Sequence, residues 1–365
     1  MKIDKKSKIL LFATVFVMVL IALQTLNINN DEQMVIDDKT NDKTNDIPIN
    51  TPKSAGNWEL TSVVLINDSA TGVGAQNWTW AIAQDWCSGV GNSTHPFLIE
   101  NVSIAVGSAD PGLKIINSNS TTYFKLSNIT ITNTVGDGLE LNSVSNCTII
   151  SSEFNNNGGT GINMTNANST SITLTYCLNN TMDGIYAVNS SLNTFTVDCT
   201  NNTRYGLMLA SCDNNTITLS DFFDNVGAGV VIIEIGENNS VYNEIYGNTF
   251  ENNTLNGVDN CTIANQWDNG VSLGNNWDDY DGVDVNDDLI GDTAYDVSGS
   301  AEAVDNYPYC NDGIEPVTHD HTERDLWKPF DPIRLAILIG VLFGVFVSIL
   351  LVSNSFYLKD GNSNQ

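Results

Sequence analysis

The chain has 365 residues, enough for one large domain or two ordinary ones, and a formal net charge of −29. Between Asn57 and Glu323 its basic side chains are Lys114, Lys125 and Arg204, so it lacks the cationic footprint that a phosphate backbone requires and nucleic acid is excluded as a partner. Acidic polymers are poor ligands for the same reason, whereas self-repulsion keeps such a surface soluble and able to hold cations.

Lys2, Lys5, Lys6 and Lys8 precede an apolar run over 9–23, the pattern of an export signal in 1–24. No small-x-small cleavage site comes soon after it, so a signal peptide and a retained signal anchor both stay open. In either case the lysines remain in the cytoplasm and the chain beyond residue 24 is exported. Residues 25–57 hold a tandem Asp-Lys-Thr-Asn and too little apolar surface to fold, and read as a disordered polar linker. The folded part begins at 58. Residues 63–66 read as a strand, and Trp78, Trp80 and Trp86 cluster on a short segment over 77–86 with helical character. Aromatics at this point suit a cap over the open end of a repeat core; an aromatic sugar platform is the alternative.

From 125 to 240 one pattern is written five times: Gly138-Leu-Glu-Leu, Gly161-Ile-Asn-Met, Gly184-Ile-Tyr-Ala, Gly206-Leu-Met-Leu and Gly229-Val-Val-Ile, at intervals of 23, 23, 22 and 23 residues. Five residues before each glycine stand Asn133, Asn156, Asn179, Asn201 and Asp224; seven before it stand Ile131, Phe154, Cys177, Cys199 and Phe222. Apolar residues alternate with polar ones inside each unit, which is strand periodicity. The chain is therefore read as all-β, a right-handed parallel β-helix over 58–265 with an N-terminal cap, built from coils of about 22–23 residues with three short strands each. Counting from Gly112 to Gly257 gives about six coils plus partial ones. The asparagines five before glycine are expected to form a ladder of side-chain amides at a tight turn, where left-handed conformations suit Asn and Gly. The interval to Gly257 lengthens to 28 residues, which places a bulge near 235–242.

From Gln266 the composition turns to Asp, Asn and Gly, and 266–313 reads as a C-terminal cap. A linker over 314–334 leads to 335–353, an uncharged apolar stretch long enough for a transmembrane helix, with a cytoplasmic tail over 354–365. Arg334 before that helix and Lys359 after it favour the opposite orientation, against the export signal. The seven cysteines include no C-x-x-C; Cys177 and Cys199 share one register, as buried small hydrophobes or as a disulfide pair.

The coils resemble those of the pectin-lyase-like superfamily. Gly274-Asn-Asn-Trp-Asp-Asp-Tyr, Asp292-Thr-Ala-Tyr and Asp305-Asn-Tyr-Pro resemble the terminal signature of NosD-like β-helix proteins. Trp78-Thr-Trp-Ala, Cys87-Ser-Gly and Pro96-Phe-Leu-Ile-Glu-Asn are similar to the first coil of archaeal surface proteins of this type. The resemblance implies an extracytoplasmic fold with carbohydrate binding or hydrolysis. It also carries a copper-maturation association, which His95, His319 and His321 with six scattered methionines do not support.

Three sets of residues carry candidate chemistry. Sequons for N-glycosylation occur at Asn67, Asn77, Asn92, Asn101, Asn119, Asn128, Asn146, Asn163, Asn168, Asn189, Asn214, Asn238, Asn252 and Asn260; those at Asn179 and Asn201 are expected to be enclosed in the ladder. All lie between the two hydrophobic segments, as an exterior domain requires. Asp284, Asn286, Asp288, the Ile290 carbonyl and Asp292 alternate as calcium ligands do, although Leu289 replaces the turn glycine of the standard loop. Eight residues before the glycines, Thr130, Glu153, Tyr176, Asp198 and Asp221 form an outward row. Asp198 and Asp221, one rung apart, with Glu153 two rungs away, match the spacing of glycosidase carboxylates. These readings converge on a membrane-anchored surface protein with its ectodomain outside the cytoplasm, structural or adhesive, binding carbohydrate or neighbouring surface proteins, with calcium as the one cofactor suggested. A glycoside hydrolase using Asp198, Asp221 and Glu153 is the alternative.

Overall fold

The computed structural model describes residues 57–286 and 288–311. The export signal, most of the linker after it, the segment from 312 and the helix expected over 335–353 lie outside the described residues. Among the described residues no helix is long and apolar enough to cross a membrane.

The repeat winds into a parallel β-solenoid. One sheet has 13 strands and runs from Trp58–Leu60 to Asn276–Trp277; a second has eight, from Val64–Asn67 to Leu255–Asn260. Residues at the same phase of successive coils pair one to one: Leu139, Ile162, Ile185 and Leu207 stand opposite each other in the second sheet. The second sheet thus has eight rungs, more than the glycine intervals alone imply. Those intervals leave out the final rung and Val64–Asn67, which has no landmark glycine. The coils from Gly138 and Gly206 carry the three short strands expected. In the coils from Gly161 and Gly184 the second and third strands merge into one, Ser171–Leu178 and Thr194–Thr200. The chain bends where single residues take positive φ. In the coil from Gly161 those residues are Asn166, Ser169, Leu174 and Asn179; in the coil from Gly206 they are Ser211, Asn214, Leu219 and Asp224.

The landmark glycines do not themselves adopt the left-handed conformation. A Cβ on Gly161 would lie 2.6 Å from the carbonyl oxygen of Gly184, and one on Gly184 would lie 2.6 Å from that of Gly206. They recur because backbone meets backbone there.

The expected ladder forms in part, Asn201 Nδ2 donating to Asn179 Oδ1 at 2.6 Å, and a continuous buried ladder lies one residue further on. Asn133, Asn156, Asn179, Asn201 and Asp224 hold positive φ between 54° and 59°, as expected for the turn, but Asn179 and Asn201 are exposed rather than enclosed. The buried amides belong to Asn157, Asn180, Asn202 and Asn225, each at most 1 % exposed. Asn180 Nδ2 donates to Asn202 Oδ1 at 3.1 Å and Asn202 Nδ2 to Asn225 Oδ1 at 3.0 Å, while Asn202 Nδ2 also reaches the Cys177 carbonyl. A second ladder of Asn193, Asn215, Asn243 and Asn265 lines another corner. These amides satisfy backbone groups at bends where strand pairing cannot.

Inside, side chains of one phase stack. Cys177, Cys199, Phe222, Phe250 and Trp277 occupy successive rungs, with ring centroids 5.2 Å apart for Phe222–Phe250 and 4.4 Å for Phe250–Trp277. Cys177 and Cys199 are buried free thiols, the reading as small hydrophobes. At the N-terminal end the helix α1, Trp78–Ile82, is shorter than the 77–86 segment. Trp78 is 2 % exposed and stacks on Phe97 at 4.6 Å, so it seals the core and presents no sugar platform.

At the other end the Asn/Asp-rich signature plugs the solenoid, and its first strand, Asn276–Trp277, still pairs as a rung. Gly274 leaves room for Asp305: a Cβ there would lie 1.9 Å from Asp305 Oδ1. The buried Asp305 carboxylate accepts from the Asn275 N–H at 2.7 Å, Trp277 Nε1 at 2.9 Å and the Tyr307 N–H at 3.0 Å. Trp277 stacks on Tyr295 at 4.1 Å. The side chains of Asn275, Trp277, Asp278, Asp279 and Tyr280 all hydrogen-bond within this end and help to close it.

Two tests probe this arrangement. Asn202→Ala leaves the Cys177 carbonyl and the Asn180 N–H without their amide partner and is expected to cost roughly 3 kcal/mol, whereas Asn201→Gly changes stability by less than about 0.5 kcal/mol; urea unfolding of the two variants measures the difference. Burial pushes the Asp305 carboxyl up to about 6, against the opposing effect of the hydrogen bonds from Asn275, Trp277 and Tyr307. Its folded value exceeds its unfolded one, so its stabilising contribution is fully present below about pH 4 and fades as pH rises through 6, by about 2–3 kcal/mol. Unfolding midpoints across pH 4–7 should fall less steeply for Asp305→Asn than for the parent chain.

Candidate functional site

The in-register coils convert a sequence phase into a line across the outer surface. Ser103, Thr130, Glu153, Tyr176, Asp198, Asp221, Thr249 and Asn276 pair rung by rung along the outside of the first sheet. Their alternation with the buried Phe154, Cys177, Cys199 and Phe222 is the reason they point outward. Strand spacing sets neighbours on this row about 4.8 Å apart at the backbone. Asp198 and Asp221 are therefore adjacent, as expected, and Tyr176 stands between Asp198 and Glu153.

Tyr176 is 43 % exposed at the middle of the row. Partial burial pushes its phenol above the usual tyrosine range, and the nearby charges of Asp198, Glu153 and Asp221 push it further, so it stays a neutral donor. Thr200 Oγ1 donates to Asp198 Oδ1 at 2.5 Å, and Asn155 Nδ2 to Glu153 Oε2 at 3.3 Å, both from the neighbouring line of residues. The row thus offers an aromatic face flanked by carboxylate acceptors that fixed polar neighbours orient. Such a set can grip the hydroxyls of a neutral sugar.

A second constellation lies outside the positions that the repeat marks. Asp183 is fully buried and holds Arg204 in a bidentate pair, with Nε donating to Oδ1 at 2.7 Å and Nη2 to Oδ2. The guanidinium lies over the rings of Tyr186 and Tyr205, at 5.8 and 5.4 Å from their centroids. Burial lifts the Asp183 carboxyl above its usual range and the Arg204 charge opposes that lift. One signal was available: Arg204 is the single arginine among the described residues. Its commitment to Asp183, and that of Lys114 to Glu140 at 2.7 Å, leaves the carboxylate row without an arginine to receive an acidic substrate.

The acidic loop expected to hold calcium is closed by its own hydrogen bonds. Asp284 accepts from the Asp288 and Leu289 N–H groups, Asp292 from Val285 and Asp288 from Ile290. Asn286 accepts from Asp288 as well. Among the described residues no group of three or more His, Cys, Asp or Glu is placed to hold a metal ion. His95 is exposed and bonded to Thr94; His319 and His321 lie outside the described residues.

Of the sixteen sequon asparagines none is buried. Several are products of the coil itself. In Asn179-Asn-Thr, Asn201-Asn-Thr and Asn214-Asn-Thr the first asparagine takes the positive-φ corner and the second is a buried ladder amide.

Among curated proteins none matches the chain. Solved structures with some likeness include a mutant of the periplasmic alginate epimerase AlgG (15 % identity over 44 % of this chain and 41 % of that one, TM-score 0.37). Others are the Dettilon tailspike protein (14 %, 60 % and 47 %, 0.30) and the pectate lyase Pel9A (12 %, 69 % and 79 %, 0.32). The chain spans under half the length of the first two. Likeness at this level assigns no activity to it. Residues 112–277 match the family described as right handed beta helix region, in keeping with the parallel rungs in continuous register over the same stretch.

Proposed function

We propose that the coil is an extracytoplasmic, membrane-anchored scaffold that binds a neutral glycan along the row from Thr130 to Asp221. The observation that carries this reading is the unbroken outward register of Glu153, Tyr176, Asp198 and Asp221, with Tyr176 exposed at its centre. A ring face stacks on a sugar, and the carboxylates accept from its hydroxyls. The net charge of −29 and the engagement of Arg204 argue for a neutral ligand over an acidic one. Exposed and half-exposed sequons along the coils are compatible with a glycosylated exterior, and the apolar segments over 9–23 and 335–353 supply the attachment.

A second reading rests on the pairing of Asp198 with Asp221. Adjacent rungs hold their backbones about 4.8 Å apart, near the roughly 5–5.5 Å carboxyl separation of retaining glycosidases, and Glu153 stands beyond Tyr176. Turnover would then use one carboxylate as nucleophile and the other as acid.

Screening the full chain on an array of neutral and acidic glycans tests the first reading. Binding to a neutral glycan, weakened about tenfold by Tyr176→Ala, is the expected result; an array without any neutral hit overturns it. Incubation with the bound glycan tests the second. If products appear and Asp198→Asn abolishes them, the chain is a hydrolase; retention of intact glycan leaves it a binding scaffold.

A further inference from the structure

The first sheet carries a second outward pattern, separate from the carboxylate row. Thr148, Ser171, Thr194 and Thr216 stand opposite one another on four consecutive rungs. Two residues further along each strand, Thr173 pairs with Thr196, and Thr218 occupies the same phase of the strand Thr216–Thr218; Ile150 fills the place beside Thr148. Parallel pairing repeats these positions about every 4.8 Å along the coil axis, and alternate residues of a strand are about 6.6 Å apart. The hydroxyls therefore form a two-dimensional lattice. Behind it Ile149, Ile172, Phe195 and Ile217 are each 0 % exposed, so a close-packed core holds the lattice in place.

Serine and threonine hydroxyls elsewhere on this surface commonly bond to their neighbours, as Thr94, Thr121, Thr200 and Thr262 do. Among the described residues none of the seven lattice hydroxyls has a hydrogen-bonding partner within the protein. No charged side chain lies within the array; Lys125 precedes it by one rung, Glu244 follows it by one, and Asp198 borders it two residues beyond Thr196.

We propose that this lattice binds the ordered water of an ice surface. Each hydroxyl can both donate and accept, and the six threonine methyls between them shed mobile water. Waters already fixed in a crystal cost little further entropy to hold, so a rigid, periodic set of unpartnered hydroxyls favours them over bulk solvent. A polysaccharide is the poorer occupant here, because the lattice contains neither an aromatic face nor a carboxylate to recognise one. The lattice borders the Tyr176 row, Thr196 and Asp198 being alternate residues of the strand Thr194–Thr200, but shares no residue with it.

The full chain, with buffer and detergent controls, is tested in ice recrystallisation and thermal hysteresis assays. Inhibition of ice growth is expected, and Thr194→Lys with Thr196→Lys should raise the effective concentration about tenfold or more, the two ammonium groups breaking the lattice. Thr196→Val, which keeps the side-chain shape, should weaken the effect with an unchanged circular dichroism spectrum, and Val135→Lys on a distant exposed corner should not. Absence of inhibition by the full chain, or inhibition that survives both lattice variants, overturns the proposal. Retention on crystalline chitin or cellulose that the lattice variants abolish, with no effect on ice, also overturns it and assigns the surface to polysaccharide.

Discussion

The described structure depends on neighbouring coils meeting residue for residue. Parallel strand pairing supplies the regular part of that contact, but it fails at the bends, where the backbone turns out of the sheet. Two devices carry it through. Asparagine amides bridge the bends, each taking a backbone N–H of the preceding coil and returning a donor to the amide of the next. Glycines allow direct approach of backbone to backbone where any Cβ would force the coils apart. Neither device stabilises an isolated coil. Both act only between coils, so the fold is cooperative along its axis in the manner of repeat proteins.

The same constraint governs the surface. Once the register is set, a residue's phase in the repeat decides which line it joins, and the chemistry of each line depends on what successive coils place there. Inward phases vary within narrow limits, from Phe154 through Cys177 and Cys199 to Phe222, because the interior has a set width. Outward phases vary freely. One has gathered carboxylates about a tyrosine, another hydroxyls alone, and a corner has gained the clasp of Asp183 and Arg204. That clasp is one of two ways the chain buries a carboxylate: Asp183 is paired with a guanidinium and accepts from the Tyr205 N–H, whereas Asp305 is held by neutral N–H donors alone.

The fold and the facing of residues were legible because the glycine period tied each position to a phase, and alternation about Phe154 and Phe222 told inside from outside. The continuous buried ladder lies one residue beyond the expected line, where Asn201 and Asn179 also bond, and for a definite reason. The corner and the amide position next to it both favour asparagine, the first for its tolerance of positive φ and the second for its side-chain amide; type alone cannot separate them. The pairing of Asp183 with Arg204 was illegible because its partners are 21 residues apart at phases the repeat does not mark. At the acidic loop the spacing alone does not choose between roles, because alternate oxygen ligands suit both a cation and successive backbone amides. Asp284 and Asp292 meet the amides.

The longer interval before Gly257 shows where the repeat tolerates growth. Residues 234–239 project from one corner, with Ile235 and Asn238 bridged to each other, yet the ladder on either side is unbroken. Asn215 still meets Asn243, and Cys212 still meets Ser240, across a separation of 28 residues in sequence. An added loop at this corner costs the solenoid no rung. New recognition elements could be inherited there by simple insertion, leaving folding to the coils above and below.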